Sequence, residues 1–289
     1  MTIAMPRVDA AAGPLAFIRY AFPPNERGYC GPADTGSFLG YGQTGQIDAG
    51  FVELAQAFTG AWPYLELIAG AAGISDPLDQ RVVQAYWVGN ALLDRVGALS
   101  LGNSMQERFR GTTGNRFSSL AQGVVAGGVP HHSFHVFCIY PWVGLLGQGR
   151  KGDQALTVLD KCRIRWGQVE SVVGERVIVK CRPLLFDGRR LALGEPVLET
   201  AQRSIELSDT SAGVESSDAR TDVSGGSAAA GTDDSGTDLR PGDWVSLHWQ
   251  WICERLSERQ VATLRRYTLH HLALVNDGVE TPGAIIALG

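Results

Sequence analysis

A histidine near the C-terminus lies in a notably apolar stretch of the chain. His248 belongs to the run DWVSLHW, residues 243–249, whose composition predicts a β-strand. Neutral imidazole is a common ligand of transition metals, so a histidine held in a strand can present a ring nitrogen to an ion. The alternative is a buried ring that donates a hydrogen bond to a backbone carbonyl. Both interpretations stay open at this point.

A second group of candidate ligands lies in VPHHSFHVFCIYPW, residues 129–142. If this segment is helical, His131, His135 and Cys138 share one face and can present ligands to one ion. If it is a strand, only His131 and His135 share a face. Periodicity does not separate a short buried strand from a short buried helix, and these rings can equally well pack beneath a loop.

Cysteine use suggests thiols rather than disulfides. The five cysteines are widely scattered and form no CxxC pair, which predicts reduced thiols in a cytoplasmic protein. Cys30 lies in the turn-rich segment FPPNERGYCGPAD, residues 22–34. A functional role for this thiol requires that it approach the histidines, where it could act with one of them as nucleophile and base.

Composition limits the partners. The 289 residues are 44% hydrophobic and 19% charged, as is typical of a soluble globular protein, and the formal net charge is -5. An acidic chain lacks the basic surface that binds phosphate backbones, so we expect no nucleic-acid partner. No apolar run is long enough to cross a bilayer, and the N-terminus does not have the pattern of a signal peptide, so we expect no membrane association.

The first 150 residues are predicted to be mainly helical. Residues 48–73 carry apolar side chains at helical spacing with a break at Pro63, and residues 76–96 begin with Asp76 as the expected cap and Pro77 in the first turn. This region forms the predicted N-terminal domain, residues 1–150.

From Leu156 the pattern changes to alternation, with turn signals in VVGER and FDGRR that are typical of hairpins. One more strand, DWVSLHW, is followed by a predicted helix over residues 254–274. Between them, residues 208–238 are rich in Ser, Gly, Ala, Thr and Asp, which predicts a disordered insertion. We therefore expect an α+β protein in which a small OB-like β-barrel with a closing helix, residues 155–275, follows the helical domain.

The second half resembles the hydrogenase assembly chaperones of the HypC/HupF type. The resemblance is carried by CRIRWGQVESVVGERVIVKC, residues 162–181, and PGDWVSLHWQWICERLSERQVATL, residues 241–264. It implies that Cys162 and His248 help to hold an iron centre bearing cyanide and carbon monoxide. Two positions depart from the family pattern: Cys162 is internal rather than N-terminal, and Trp166 stands where proline usually precedes the glycine.

The whole chain also resembles an uncharacterised bacterial family found beside hydrogenase maturation genes, through YAFPPNERGYCGP, GAWPYLELIAGAAGISDPLD and PHHSFHVFCIYPWVGLL. The resemblance implies an accessory protein of nickel-iron hydrogenase maturation, with other maturation proteins or the immature large subunit as partners. The rival hypothesis is an enzyme that uses Cys30 or Cys138 with His131, His132 or His135, with or without a metal. A third hypothesis is a scaffold in which all these residues serve packing. No P-loop, dinucleotide fingerprint or GxSxG elbow is present.

Overall fold

The computed structural model describes residues 11–109, 127–203 and 239–280. The predicted disordered insertion, residues 208–238, lies outside these ranges. Within the described residues, helices precede a sheet of mixed strands that ends in one long helix, so the α+β class is confirmed. None of the described helices combines the length and the apolar character needed to cross a bilayer.

Six helices come from the first 109 residues: α1 (Ala12–Glu26), α2 (Thr35–Thr44), α3 (Ala49–Gln56), α4 (Trp62–Ala72), α5 (Gln80–Trp87) and α6 (Ala98–Phe109). Pro63 occupies the first turn of α4, where its missing amide costs no helical hydrogen bond. The prediction that Asp76 caps the helix that became α5 is wrong. Asp79 caps α5 by accepting from the Arg81 amide, while the carboxylate of Asp76 accepts from the Leu78 amide and holds the turn before the helix.

The ambiguous segment after Val129 is helical. A single turn, α7 (His132–Phe134), runs into a π-helix (His135–Ile139), a 3-10 helix (Pro141–Leu145) and then α8 (Arg150–Cys162). The strand pattern predicted from Leu156 onward is therefore wrong in its first residues, because α8 continues to Cys162. The side chains of Ala155, Val158, Leu159 and Cys162 are buried at the spacing of one helical face.

The strands that follow are β1 (Arg165–Val173), β2 (Arg176–Cys181), β3 (Leu184–Phe186), β4 (Leu191–Leu193), β5 (Val197–Gln202), β6 (Trp244–His248) and β7 (Trp251–Leu256), and the last helix is α9 (Glu258–Glu280). Both predicted hairpins are present, as the β1–β2 and β3–β4 pairs. The predicted helix start at residue 254 is wrong, since β7 occupies residues 251–256 and pairs antiparallel with β6.

Five of these strands form a sheet that closes on itself. The order is β1-β2-β5-β7-β6, and β6 pairs back with β1 from Arg165↔Leu247 to Gln168↔Trp244. The pair β5–β7 is parallel and is joined at Gln202↔Trp251. Small apolar side chains fill the interior of this sheet, among them Val169, Val179 and Leu247.

The largest apolar core is shared by the helices and the sheet. It contains Phe17 and Tyr64 from the first helices together with Ile164 before β1, Leu256 of β7 and Leu264 of α9. Because these residues pack in one cluster, α1 lies against β6 and β7. The end of β6 is thereby brought next to the helices that carry the candidate ligands.

Candidate metal centre

Three buried side chains from three different elements converge in the interior. They are His132 in the first turn of α7, Cys162 at the last residue of α8 and His248 at the last residue of β6. One ligand atom from each lies within 4.8 Å of the others. In the ranges that the structure describes, this is the group of three whose side chains could hold a metal ion.

A buried ion pair anchors the chain as it leaves α8. One carboxylate oxygen of Asp160 accepts from the Arg163 guanidinium at 2.9 Å and from the Leu184 amide at 2.8 Å. Arg163 also donates to the carbonyl of Arg182 at 2.6 Å. These contacts lie on either side of Cys162 in sequence, so they hold its backbone in place.

A second buried arginine connects β1 with the turn after His248. Arg165 is almost completely buried and donates to the Glu199 carboxylate, to the Trp249 carbonyl and to the Cys181 sulfur. Trp249 has a φ of 54°, a left-handed backbone conformation that a tryptophan rarely adopts. The hydrogen bonds at its carbonyl and amide hold this conformation and with it the end of β6.

His248 satisfies one ring nitrogen and leaves the other available. Its Nδ1 lies 2.5 Å from the carbonyl of Tyr20, which can only accept, so Nδ1 is the protonated nitrogen. Its Nε2 then carries the lone pair, is buried, and makes no hydrogen bond within the described residues. A metal-binding histidine usually donates a hydrogen bond from one ring nitrogen to a backbone carbonyl. The other nitrogen keeps its lone pair for the metal. The two interpretations that the sequence left open for His248 are therefore compatible.

His132 is held at both ring nitrogens. Its Nε2 lies 2.9 Å from the carbonyl of Cys162, and its Nδ1 lies 3.2 Å from the hydroxyl of Tyr86. Binding of an ion at Nε2 requires exchange of the carbonyl contact for the metal. The proton then resides on Nδ1, which donates a hydrogen bond to the Tyr86 hydroxyl. This hydrogen bond orients the ring.

Burial sets the protonation of all three ligands. It lowers the pKa of His132 to about 4 and places the pKa of His248 well below its ordinary value, so both imidazoles are neutral at pH 7. It raises the pKa of the Cys162 thiol, so this sulfur keeps its proton until a cation compensates the thiolate charge. Two neutral imidazoles and one thiolate suit zinc, iron, cobalt or copper, and three protein ligands leave a coordination position open.

The other sequence-predicted residues do not join this group. His131 Nδ1 contacts the Ser133 hydroxyl at 2.8 Å, and His135 Nδ1 contacts the Tyr64 hydroxyl at 3.3 Å. Cys30 and Cys138 are half-buried, and burial raises the pKa of each to about 12, which disfavours a reactive thiolate. Nothing in these contacts assembles a nucleophile and base from the N-terminal cluster.

His132 was not among the ligands predicted from the sequence, which favoured its neighbours His131 and His135. Three histidines within five positions look alike in the sequence. The backbone of His131 is extended, and its Nδ1 caps α7 by accepting a hydrogen bond from the Ser133 amide. The ring therefore serves as a helix cap and not as the predicted metal ligand. Only the packing of α7 against α8 and β6 selects His132.

Comparison with known protein families identifies a match to this chain. A family model described as "Family of unknown function (DUF6390)" matches residues 9–224 and 220–281. No curated protein and no solved structure matches the chain. The matched ranges contain all three candidate ligands.

Proposed function

We propose that this chain, which belongs to the DUF6390 family, is a metal-binding accessory protein of nickel-iron hydrogenase maturation that holds iron with Cys162, His248 and His132. The observation that carries the proposal is the convergence of a buried thiol and two buried imidazoles within 4.8 Å. The hydrogen bond from His132 to the Cys162 carbonyl places the imidazole beside the thiol, and a metal would use both side chains.

The chemistry of the site supports a metal. Nitrogen and sulfur ligands bound to one tetrahedral metal at about 2.0–2.3 Å lie roughly 3.3–3.8 Å from one another. Ligand atoms 4.8 Å or less apart therefore need to approach by only about 1 Å. His248 Nε2 is buried without a hydrogen bond within the described residues, which costs free energy unless something binds it. A cation at this position satisfies both the imidazole lone pair and the Cys162 thiolate.

The narrower assignment to hydrogenase maturation rests on two observations. Cys162 and His248 are the residues that the resemblance to the HypC/HupF chaperones singles out, and they meet at one site. The closed order of five strands followed by a long helix also favours an OB-like barrel, as that resemblance implies. A low-spin iron with cyanide and carbon monoxide prefers a thiolate with imidazole, and a three-ligand site leaves room for such small groups.

The cargo in this proposal is the iron intermediate, and the protein carries it rather than turning it over. Because all three ligands are buried, transfer requires the end of α8 and the β6–β7 turn to separate. The partner that receives the cargo, or supplies it, is the large-subunit precursor or another maturation protein.

The test is anaerobic purification from a hydrogenase-producing host, followed by metal analysis and infrared spectroscopy in the cyanide and carbonyl stretching region. We expect iron and diatomic-ligand bands in the wild type and in Cys181→Ala, and their loss in Cys162→Ala. Cys181 is an equally buried thiol outside the ligand group, so it is the matched control. Zinc in place of iron, with no diatomic bands, would leave a metalloprotein but reject the role in hydrogenase maturation.

A further inference from the structure

The indole of Trp87 has a buried N–H without an acceptor. The side chain is 3% exposed, and its Nε1 makes no hydrogen bond within the described part of the chain. Buried donors in folded proteins almost always have a partner, because leaving one unpaired costs folding free energy. Such a donor therefore calls for a ligand if it lies at a candidate site.

Trp87 lies directly at the three-ligand site. Its ring centroid is 4.4 Å from that of His132 and 5.7 Å from that of His248, and the two imidazoles are 5.3 Å apart. The three rings therefore contact one another. Trp87 also stacks on Tyr20 at 5.4 Å with nearly parallel planes, and Tyr20 provides the carbonyl that holds His248.

The two unpaired groups, the lone pair of His248 Nε2 and the N–H of Trp87, are together complementary to a metal with a bound anion. A metal ion satisfies the lone pair of His248 Nε2, but a cation repels the partial positive charge of an indole N–H. The donor requires an acceptor atom that is itself bound to the metal. Trp249, the residue after His248, also has a buried indole N–H without an acceptor in the described residues, although its ring stacks on Tyr29 at 4.8 Å.

We infer that Trp87 Nε1 faces the open coordination position and donates a hydrogen bond to a small anion bound there. The ligand class is a hydrogen-bond-accepting anion of two or three atoms, because Trp87 and the three ligands are all buried. The inference rests on the metal site of the proposed function, and it adds the group that recognises the fourth ligand. It holds for any such anion, whether or not the natural cargo is an iron intermediate.

Azide binding to the cobalt(II)-loaded protein tests this inference. The visible cobalt bands report metal binding first, and their change on titration with azide reports the anion. We expect the Kd for azide to be weakened roughly tenfold or more in Trp87→Phe, as for a lost hydrogen bond to a charged acceptor. The affinity for cobalt should change by less than about threefold, well under that loss.

Trp62→Phe is the matched control, since the indole of Trp62 is also buried but already donates to Glu66 at 2.7 Å. This variant should bind azide like the wild type. Equal azide affinity in Trp87→Phe and the wild type, or cobalt bands that do not respond to azide, would overturn the inference. Absence of cobalt bands before azide is added would reject the metal site itself, so the two failures are distinguishable.

A second readout does not depend on the stability of a variant. In the zinc-loaded wild type labelled with 15N-tryptophan, one of the seven indole N–H resonances should move downfield and saturate as azide is added. If no indole resonance shifts while azide binds, the donor is not an indole and the inference fails.

Discussion

The backbone amide of Trp249 donates a hydrogen bond of 2.8 Å to the carbonyl of Lys161. Lys161 immediately precedes Cys162, and Trp249 immediately follows His248. One backbone contact therefore connects the end of α8 to the β6–β7 turn and keeps the two ligands together. The backbone alone organises the candidate site, as selective binding of the proposed metal would require.

Replacement of Cys162 should abolish tight metal binding. Cys162→Ala removes the thiolate, which is the only charged ligand in the group. We expect the Kd for cobalt or zinc to be weakened roughly 100-fold or more, at least the loss seen when a residue that merely orients a ligand is changed. Competition with a chromophoric chelator measures this affinity. Cys181→Ala should bind like the wild type, and equal weakening in both variants would show that the effect is structural.

Metal binding should release about one proton per ion at neutral pH. Burial raises the pKa of the Cys162 thiol, so it is protonated before binding, whereas the pKa of His132 is lowered to about 4 and its imidazole is already neutral. The affinity should therefore rise about tenfold per pH unit between pH 6 and pH 8. Calorimetry in buffers of different ionisation enthalpy counts the proton. Release of no proton would mean that the thiol is not a ligand.

The protein should lose stability in mild acid. Burial lowers the pKa of His131 to about 3 and of His132 to about 4, from an unfolded value near 6.5. At a pH between the folded and the unfolded pKa, only the unfolded state binds the proton. The free energy of unfolding is therefore highest above about pH 6.5 and falls as the pH drops to 4. Each histidine contributes up to about 1.4 kcal/mol per pH unit.

Urea denaturation at several pH values measures this slope. His248 and His271 have lowered pKa values for the same reason, so the slope should exceed that of one proton. A flat profile from pH 6.5 to pH 4 would contradict the burial of these rings.

Loss of the Asp160 carboxylate should be strongly destabilising. Asp160→Ala leaves the fully buried Arg163 without its counter-charge and the Leu184 amide without its acceptor, so we expect a loss of about 3–5 kcal/mol. Chemical denaturation measures the change. Asp153→Ala is the control on the same helix, because that carboxylate is exposed and should cost less than about 1 kcal/mol. Similar losses in the two variants would refute the anchoring role.

Two glycines in helices should respond oppositely to alanine. A Cβ on Gly13 of α1 would lie 1.8 Å from the carbonyl oxygen of Leu78, so Gly13→Ala forces α1 away from the turn before α5 and should cost roughly 3 kcal/mol. A Cβ on Gly70 of α4 meets no atom within 4 Å, and Gly70→Ala should stabilise by about 0.5–1 kcal/mol. Thermal and urea unfolding of both variants check the prediction, which fails if Gly13→Ala is tolerated.

The sequence predicted an element correctly where the signal for it comes from residues close together in the chain. The turns in VVGER and FDGRR specify their hairpins, since a glycine at the turn and alternating strands act over a few residues. The sequence did not predict where α8 ends. The apolar residues between Ala155 and Cys162 are compatible both with one face of a helix and with part of an alternating strand. Strand β7 was likewise missed, since its polar Glu254 and Arg255 suit the start of a helix equally well.

The sequence by itself determined which residue types are available for chemistry, and its resemblance to the HypC/HupF chaperones singled out Cys162 and His248 as a pair. The tertiary structure alone decided that His132, and not His131 or His135, completes the group, because a metal site depends on distances between elements that are far apart in the chain. It also decided the state of each ligand. Whether a thiol or an imidazole is charged depends on how completely the surrounding chain excludes water, and that follows only from the packing of α7, α8 and β6.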